Sequence, residues 1–553
     1  MSELNDDLFK LYLVTDSTMI PESKTFLGQI EEAVNNGVTI VQLREKKLST
    51  REFIKRAQQV HALTKPRGIP LIINDRVDVA LAIDAEGVHV GQDDMPATSV
   101  RELIGPNKIL GVTCSTPEEA QEVVDQDVAD YVGLGTVYAT NTKKDVTNPD
   151  GVGPIGIKSM LLVLAKHKRD IKSVAIGGIN HSNAKFVQSA CRVPGRSISG
   201  PAVVSCIMAS QDAGNATKKL KEILEYCLKE RGVDTIGTEQ HQRNQDSFSD
   251  FRVTGAYKQK NKLKTLVQSH PLVHHITNNV VKNFSANVTL AIGASPIMSE
   301  LPTEFEEFTS KIPNLALVLN LGTPNEELMK VFAKAISAYN MYNKPIVFDP
   351  VACGASQARL SCCRKLLNTG HMTVIKGNLG EIVSIWKLTQ CYNSLNLGDD
   401  LMHGVDSVAD VSEDILFKIA SDILYDFNAT LVITGQVNYV FATDGKRYEK
   451  IAGGSSLMSL VTGTGCSLGS VIAAFLAARA DGLNDGEIDN VEKNEKNTIS
   501  QSNSCDNYSC VVAAVSLYNE AGRNAASKTS APSSFMTAFI DELYKLTHER
   551  LET

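Results

Sequence analysis

Short, unbroken apolar runs recur along the first half of the chain, each followed by a polar or glycine-rich cluster and then by an interval long enough for a helix. They are KLYLVTD near Leu11, TIVQLREK near Val41, PLIIND near Ile72, GVHVG near Val88, KILGVTC near Leu110, YVGLGTV near Val132, SVAIGGI near Ala175 and PAVVS near Val203. Val, Ile and Leu without polar interruption suit parallel strands covered on both faces. Between PLIIND and GVHVG, the segment VDVALAIDA has helical apolar spacing and is just long enough for a crossover. Eight such units in a little over two hundred residues meet the requirement of a closed (β/α)8 TIM barrel. An open doubly wound sheet is the alternative; it fits less well because nothing marks a reversal of strand order.

From about Glu230 to Lys262 the apolar period fades, and TIGTEQHQRNQDSFSD matches neither a strand nor a helix template. The expected layout is therefore a first domain over residues 1–235, a linker over 236–262 and a second domain over 263–553. The second domain is also α/β. Strand-like runs stand at LVHHIT, LALVLNLGT, KPIVFDPVACGAS, MTVIKGNLGE and ATLVITGQ, with YVFATD continuing as a hairpin. A helix is predicted from Asn278 and Asn279 to near Gly293, and GSSLMSLVTGTGCSLGSVIAAFLAARA passes from a glycine-rich turn into an apolar helix. Two stretches depart from a compact domain: QCYNSLNLGDDLMHGVDS after Trp386 reads as a surface loop, and the polar, Asn-rich segment from Asn484 to Ser509 as a mobile insertion.

At 553 residues the chain is too long for one core, which agrees with at least two domains. A net charge of -8 argues against a nucleic-acid partner, which normally shows as a basic stripe. No apolar run reaches the roughly 18 residues needed to span a bilayer, and MSELNDDLFK lacks a basic-then-apolar signal layout. The expectation is a cytoplasmic protein without a membrane. The 11 cysteines are scattered, and the adjacent Cys362 and Cys363 have no CxxC partner, so neither a disulfide framework nor a zinc site is indicated.

The ends of the runs carry the chemistry. Gln42, Arg44, Glu45 and Lys46 form a cluster suited to a diphosphate, Arg through its planar fork and Lys as a point charge. Asn74 and Asp75 end the third run; His89, Gly91, Gln92 and Asp94 end the fourth. Carboxylates on neighbouring strand ends suit Mg2+ shared with a phosphate substrate, although Asp75 and Asp94 also read as simple helix caps. Thr140, Asn141, Thr142, Lys143 and Lys144 follow the sixth run, Gly177 and Gly178 the seventh, and Val204 and Ser205 the eighth, so phosphate groups are expected at both ends of the reaction.

At these positions the first half resembles thiamine phosphate synthase, through QLREK, NDRVDVALA, GVHVGQDD, LGVT, YVGLG with TKKD, AIGGI and AVVS. The resemblance implies joining of hydroxymethylpyrimidine diphosphate to hydroxyethylthiazole phosphate, with release of diphosphate. It implies that Gln42, Arg44, Lys46, Asn74 and Lys143 hold the pyrimidine diphosphate, that Asp75 and Asp94 hold Mg2+, that Thr140, Thr142, Gly178, Val204 and Ser205 hold the thiazole phosphate, and that Glu45, Thr113 and Asn141 also contact substrate. Arg44 and Lys143 are the catalytic candidates, because they neutralise the leaving diphosphate. One departure stands out: CRVPGRSISGPAVVS replaces a shorter GADGVAVVS-like approach to the eighth strand.

In the second half, Gly463, Thr464 and Gly465 precede a helix whose first amides suit an anion, unless the turn only permits close packing. Asp349, Asn378 and Glu381 at strand ends suit an Mg2+-nucleotide site. Here HHITNNVVKNF, GASPIM, LVLNLGT, FDPVACGA, IKGNLGE, VITGQ and VTGTGC resemble hydroxyethylthiazole kinase of the ribokinase-like fold. The resemblance implies that Asn278, Met298 and Gly463 contact the thiazole alcohol, that Lys376, Glu381, Thr434 and Gly465 contact ATP, that Asp349 and Glu381 serve the metal, and that a homo-oligomer forms through this half. Cys466 stands where many sugar kinases of this fold place an aspartate base; as a thiol near a helix start its pKa is expected to fall, unless it is only a buried small hydrophobe. The leading expectation is a bifunctional enzyme in which the second half phosphorylates the thiazole alcohol with ATP and the first couples the product to the pyrimidine. An alternative keeps one half as a non-catalytic sensor of thiamine intermediates.

Overall fold

The apolar runs do become parallel strands, and the first eight close on themselves. In the computed structural model they are β1 (Tyr12–Val14), β2 (Ile40–Leu43), β3 (Leu71–Asn74), β4 (Gly87–Val90), β5 (Ile109–Cys114), β6 (Tyr131–Gly135), β7 (Lys172–Ile176) and β8 (Gly200–Val203). Tyr12 of β1 registers with both Ile40 of β2 and Ala202 of β8, which seals the barrel. The structure describes residues 4–140, 151–225, 252–253, 259–389, 412–478 and 502–549. The expected surface loop after Trp386 and most of the 236–262 linker lie outside them. The chain separates into two compact units, Met1–Arg243 and Asn244–Thr553.

Alternation along each barrel strand sorts the residues into two cores. Leu11, Leu13, Val41, Leu43, Leu71, Ile73, Val88 and Val90 point outward and are buried under the helices. Phe9, Tyr12, Val14, Ile40, Ile72, Tyr131 and Val174 fill the lumen. The helix Thr50–Thr64 shows how a crossover is written: Ser49 and Glu52 form a capping box, and Phe53, Ala57, Val60 and Thr64 recur at helical spacing on the buried face. The unusual approach to β8 forms a hairpin, Arg192–Val193 with Arg196–Ser197, turned at Gly195 with φ +73°. Arg196 bonds the carbonyls of Leu164 and Ile171, just before β7 begins, so the extra residues sit at the amino-terminal face of the barrel, opposite the strand ends.

The second unit is a nine-stranded mixed sheet flanked by helices, the α/β arrangement expected for the ribokinase-like fold. Its strands are β9 (Arg252–Val253), β10 (Leu272–Ile276), β11 (Ser295–Ile297), β12 (Leu315–Asn320), β13 (Ile346–Asp349), β14 (Val374–Asn378), β15 (Thr430–Thr434), β16 (Val437–Phe441) and β17 (Arg447–Ala452). The order is β9-β17-β16-β15-β14-β13-β12-β10-β11, parallel except for the antiparallel pairings of β16 with β15 and β17. YVFATD thus supplies the expected hairpin strand. The helix Thr464–Ala478 is buried nearly all round, as its uninterrupted apolar composition requires.

Two boundaries differ from the sequence reading. The helix expected from Asn278 runs from Lys282 to Ala291, because the Asn278 side chain accepts the Val280 amide in a local turn that delays the helix. The segment read as a mobile insertion to Ser509 is helical from Ser502, the start of a helix that runs to Ala526; residues 484–501 lie outside the described set. Polar Asn and Ser at the first turns of that helix hide its period, and the apolar residues that anchor it begin at Tyr508. Among the described residues no helix is long and apolar enough to cross a membrane.

Candidate functional sites

At the carboxyl ends of the barrel strands, Asp75 leaves β3 with φ +62°, its amide on the His89 carbonyl at 2.8 Å. This left-handed turn leaves the carboxylate beside Lys46 and Asp94. Lys46 Nζ lies 2.5 Å from Asp75 Oδ2, and Asp94 stands within hydrogen-bonding reach of Asp75 while accepting the Gly91 amide at 2.8 Å. Burial and then the neighbouring Asp75 push the Asp94 carboxyl above its ordinary range. Two carboxylates crowded in this way are a donor set that fits a divalent cation. Neither is a helix cap: the helices that follow them start at Val77 and Ala97, and their N-cap residues Arg76 and Pro96 make no side-chain cap bond.

On the successive strands β2 to β5 stand Gln42, Asn74 and His89, all buried, and Thr113. Arg44 is anchored by its amide on Thr15 Oγ1 at 3.1 Å, and its guanidinium lies 3.9 Å from Asp16, a strand-end carboxylate that the sequence reading did not single out. Glu45 turns away from the lumen, accepting from Ser17 at 2.9 Å and Arg56 at 2.6 Å. Gly178 needs its left-handed φ of +64°, since a Cβ there would meet the Tyr138 Cβ at 2.7 Å; the next strand end brings Val204 and then Ser205, which opens a short helix. Thr140 is described, whereas Asn141, Thr142 and Lys143 lie outside the described residues.

In the second unit the adjacent ends of β12 and β13 put Asn320 beside Asp349. Asn320 Nδ2 donates to Asp349 Oδ2 at 2.9 Å, and its Oδ1 accepts from Asn278 Nδ2 and the Gly322 amide, each at 3.0 Å. Lys376, expected to face ATP, is buried with Nζ 2.7 Å from Asp349 Oδ2. Burial opposes its charge, but Asp349 with Cys466 and Glu381 outweighs it and raises the lysine pKa. Burial also lifts the Asp349 carboxyl, against the opposing pull of Lys376, Asn320 and Cys466. Asp349 Oδ1 has no hydrogen-bond partner among the described residues, an orphan lone pair that fits a cation.

Glu381 caps its own helix: Oε2 accepts the Asn378 amide and Oε1 the Ala352 amide, each at 2.9 Å, while burial and Asp349 raise its pKa. Thr434 registers with Asn378 on the neighbouring strand end. Gly463 holds φ +97°, with Phe284 3.1 Å from where a Cβ would stand, and Gly465 faces open space. Met298 follows β11 directly. The Cys466 thiol lies within hydrogen-bonding reach of Asp349 and Asn320; burial first, then Asp349, push its pKa up to about 11, the reverse of the lowering expected from the helix start. Asn320 was missed because LVLNLGT reads as an ordinary strand exit, yet its Asn occupies the same strand-end place as the Asp of FDP.

Residues 11–207 match the thiamine monophosphate synthase family and residues 263–505 the hydroxyethylthiazole kinase family. A thiamine biosynthetic bifunctional enzyme of Saccharomyces cerevisiae is 38% identical over 98% of this chain and 96% of its own length. The chain belongs to this bifunctional family. Its first half is a thiamine phosphate synthase and its second a hydroxyethylthiazole kinase, and ATP use follows from the latter. The synthase half alone is 42% identical to a thiamine-phosphate synthase of Clostridium novyi, over 39% of this chain and 98% of that protein. A solved hydroxyethylthiazole kinase structure from Pyrococcus horikoshii is 29% identical, covering 53% of this chain and 96% of that one, with a TM-score of 0.41. Nothing in these matches favours a non-catalytic sensor half.

Proposed function

We propose that the two reactions are carried by the strand-end clusters described above. At the sheet edge, Asn278, Met298 and Gly463 hold the thiazole alcohol, while Thr434, Gly465 and Glu381 serve ATP, with Lys376 fixing Asp349 beneath them. The Thr464 amide is held by the Val461 carbonyl, and the next amides of the helix, those of Gly465 and Cys466, suit the phosphoryl oxygens in flight. Cys466 keeps its proton at neutral pH and marks the place of the acceptor hydroxyl without acting as base.

At the barrel rim, Gln42, Arg44, Lys46, Asn74, Thr113 and Lys143 hold the pyrimidine diphosphate, and Thr140, Thr142, Gly178, Val204 and Ser205 the thiazole phosphate. Asp75 with Asp94, and Asp349 with Glu381, would hold Mg2+, which supplies positive charge to the departing diphosphate and to the ATP phosphates. Arg44 and Lys143 neutralise the leaving group as the electron-rich aminopyrimidine loses diphosphate, and the thiazole nitrogen attacks the resulting methylene cation. No strong base is needed, so positioning supplies much of the rate. Glu45 has a different part: it braces Arg56 and Ser17 beneath the rim.

The observation that carries this reading is the meeting of Asp75, Asp94 and Lys46 at the end of the barrel where Gln42 and Asn74 also point. The proposal includes a homo-oligomer formed through the kinase half, supported by a shallow groove of about 490 Å³ beside Leu290 and Tyr544, which are 57% and 54% exposed. It also includes a cytoplasmic location. Product analysis with each substrate omitted in turn tests the chemistry: thiamine monophosphate should need ATP when the thiazole is supplied as alcohol, but not when supplied as phosphate. Synthesis from the alcohol without ATP would refute it.

A further inference from the structure

A continuous chain of hydrogen bonds crosses the barrel lumen below the rim. Gln42 Nε2 donates to the Tyr12 hydroxyl at 2.9 Å, the Tyr12 and Tyr131 hydroxyls are 2.7 Å apart, Tyr131 meets His89 Nδ1 at 2.9 Å, and His89 Nε2 meets Thr113 Oγ1 at 2.9 Å. Five strands contribute one residue each. The sequence makes room for it: a Cβ on Gly111 would stand 2.2 Å from the Tyr131 ring and 2.4 Å from His89 Nδ1, and Phe9 closes the underside with its ring centroid 5.0 Å from that of Tyr131. Burial pushes both phenols well above the ordinary tyrosine range, so each carries its proton.

With the Gln42 amide donating to Tyr12, the chain has one polarity that leaves no buried proton stranded. Tyr12 oxygen already accepts from Gln42, so the Tyr12 proton goes to Tyr131 oxygen, and the Tyr131 proton goes to His89 Nδ1. His89 is then neutral with its proton on Nε2, donated to Thr113 Oγ1. Run the other way, the Gln42 amide would have to turn so that its Oε1 accepted the Tyr12 proton, and the pattern offered at both ends would be reversed. At the two ends, these bonds leave Gln42 its carbonyl Oε1 and Thr113 its hydroxyl proton.

We propose that this chain sets the hydrogen-bonding pattern offered to the pyrimidine, an acceptor at Gln42 Oε1 and a donor at Thr113 Oγ1, and so selects a ring with an exocyclic amino group and an unprotonated ring nitrogen. A 4-oxo ring, with an acceptor outside and N–H inside, meets the reversed pattern. Tyr12, Tyr131 and His89 are positioning residues. The inference rests on the pyrimidine diphosphate reading of this rim.

The test compares the full-length protein and Tyr12→Phe, which frees the Gln42 amide to turn. The readout is the ratio of the KM for the 4-amino pyrimidine diphosphate to the inhibition constant of its 4-oxo analogue, with kinase turnover and melting temperature recorded on the same samples. Discrimination should fall by about tenfold, the worth of one net hydrogen bond, with kinase turnover unchanged. Equal weakening of both ligands, or unchanged discrimination, overturns the proposal. Nitrogen-15 histidine spectra of the wild type, with His89 assigned by its loss in His89→Gln, give a second reading that needs no variant to bind ligand: the proton should sit on Nε2, and a proton on Nδ1 overturns the polarity. A wild type that couples no pyrimidine would instead count against the synthase reading itself, leaving the spectra to judge the chain.

Discussion

Replacing Lys376 with Met removes one member of a pair whose side chains are 4% and 1% exposed, leaving the Asp349 carboxylate buried with only the neutral Asn320 amide and Cys466 thiol beside it among the described residues. Breaking such a pair from one side costs about 3 to 5 kcal/mol, because the surviving charge cannot be hydrated. For a unit of this size, about 2 to 4 °C of melting temperature is lost per kcal/mol, so the kinase half should melt about 6 to 20 °C lower. The chain carries its own reporter: the single tryptophan, Trp386, is buried in the kinase unit with Nε1 2.8 Å from Asp422 Oδ2, so its fluorescence follows that unit alone. Adding Asp349→Asn removes the stranded charge, and the double variant should recover most of the loss while remaining a dead kinase. A single variant that melts within about 1 °C of the wild type, or a double that melts as low as the single, would refute the reasoning; that threshold lies well below the smallest expected shift.

Cys466→Ala should lower kinase kcat by less than about tenfold, since a general base is worth about a hundredfold or more and the raised thiol pKa leaves little thiolate; a thousandfold loss would restore the base. His274 and His275 are both lowered to about 4, chiefly by burial, so from pH 6.5 down to 4 the unfolded chain binds protons that the folded one refuses. Stability of the kinase half should therefore fall with pH across that window, by up to about 1.4 kcal/mol per unit for each histidine. Denaturant titrations read by Trp386 should show a shallower slope in His275→Gln, and an unchanged slope would remove His275 from the account. Leu290→Glu should shift the protein to a smaller species in size-exclusion chromatography with the fold intact, while an unchanged elution volume would move the oligomer contact elsewhere.

The barrel was legible because its strands are written twice, once as Val, Ile and Leu runs and again as polar clusters at each run's end. Asp75 and Asp94 could be paired in advance since neighbouring parallel strands bring their ends together by topology alone. The hydrogen-bond chain from Gln42 to Thr113 could not, because Tyr12, Tyr131 and His89 come from strands on different sides of the lumen, and only the closed register decides which side chains meet. Lys376 is a similar case. A lysine at a strand end reads as a phosphate ligand until the packed helix Thr464–Ala478 is seen to bury it against Asp349. The long approach to β8 departs from the shorter pattern, yet residues between a helix and the next strand of a barrel belong to the amino-terminal face, away from the strand ends that carry the site.

Two separate sites in one polypeptide should act in series, with thiazole phosphate passing between them through solution. Asp75→Ala and Asp349→Ala variants, each supplied with thiazole alcohol, ATP and pyrimidine diphosphate, test it directly. The first should accumulate thiazole phosphate and the second unreacted alcohol, and mixing the two should restore thiamine monophosphate. A folded Asp75→Ala protein that had also lost kinase activity, or a mixture that made no thiamine monophosphate, would contradict the account.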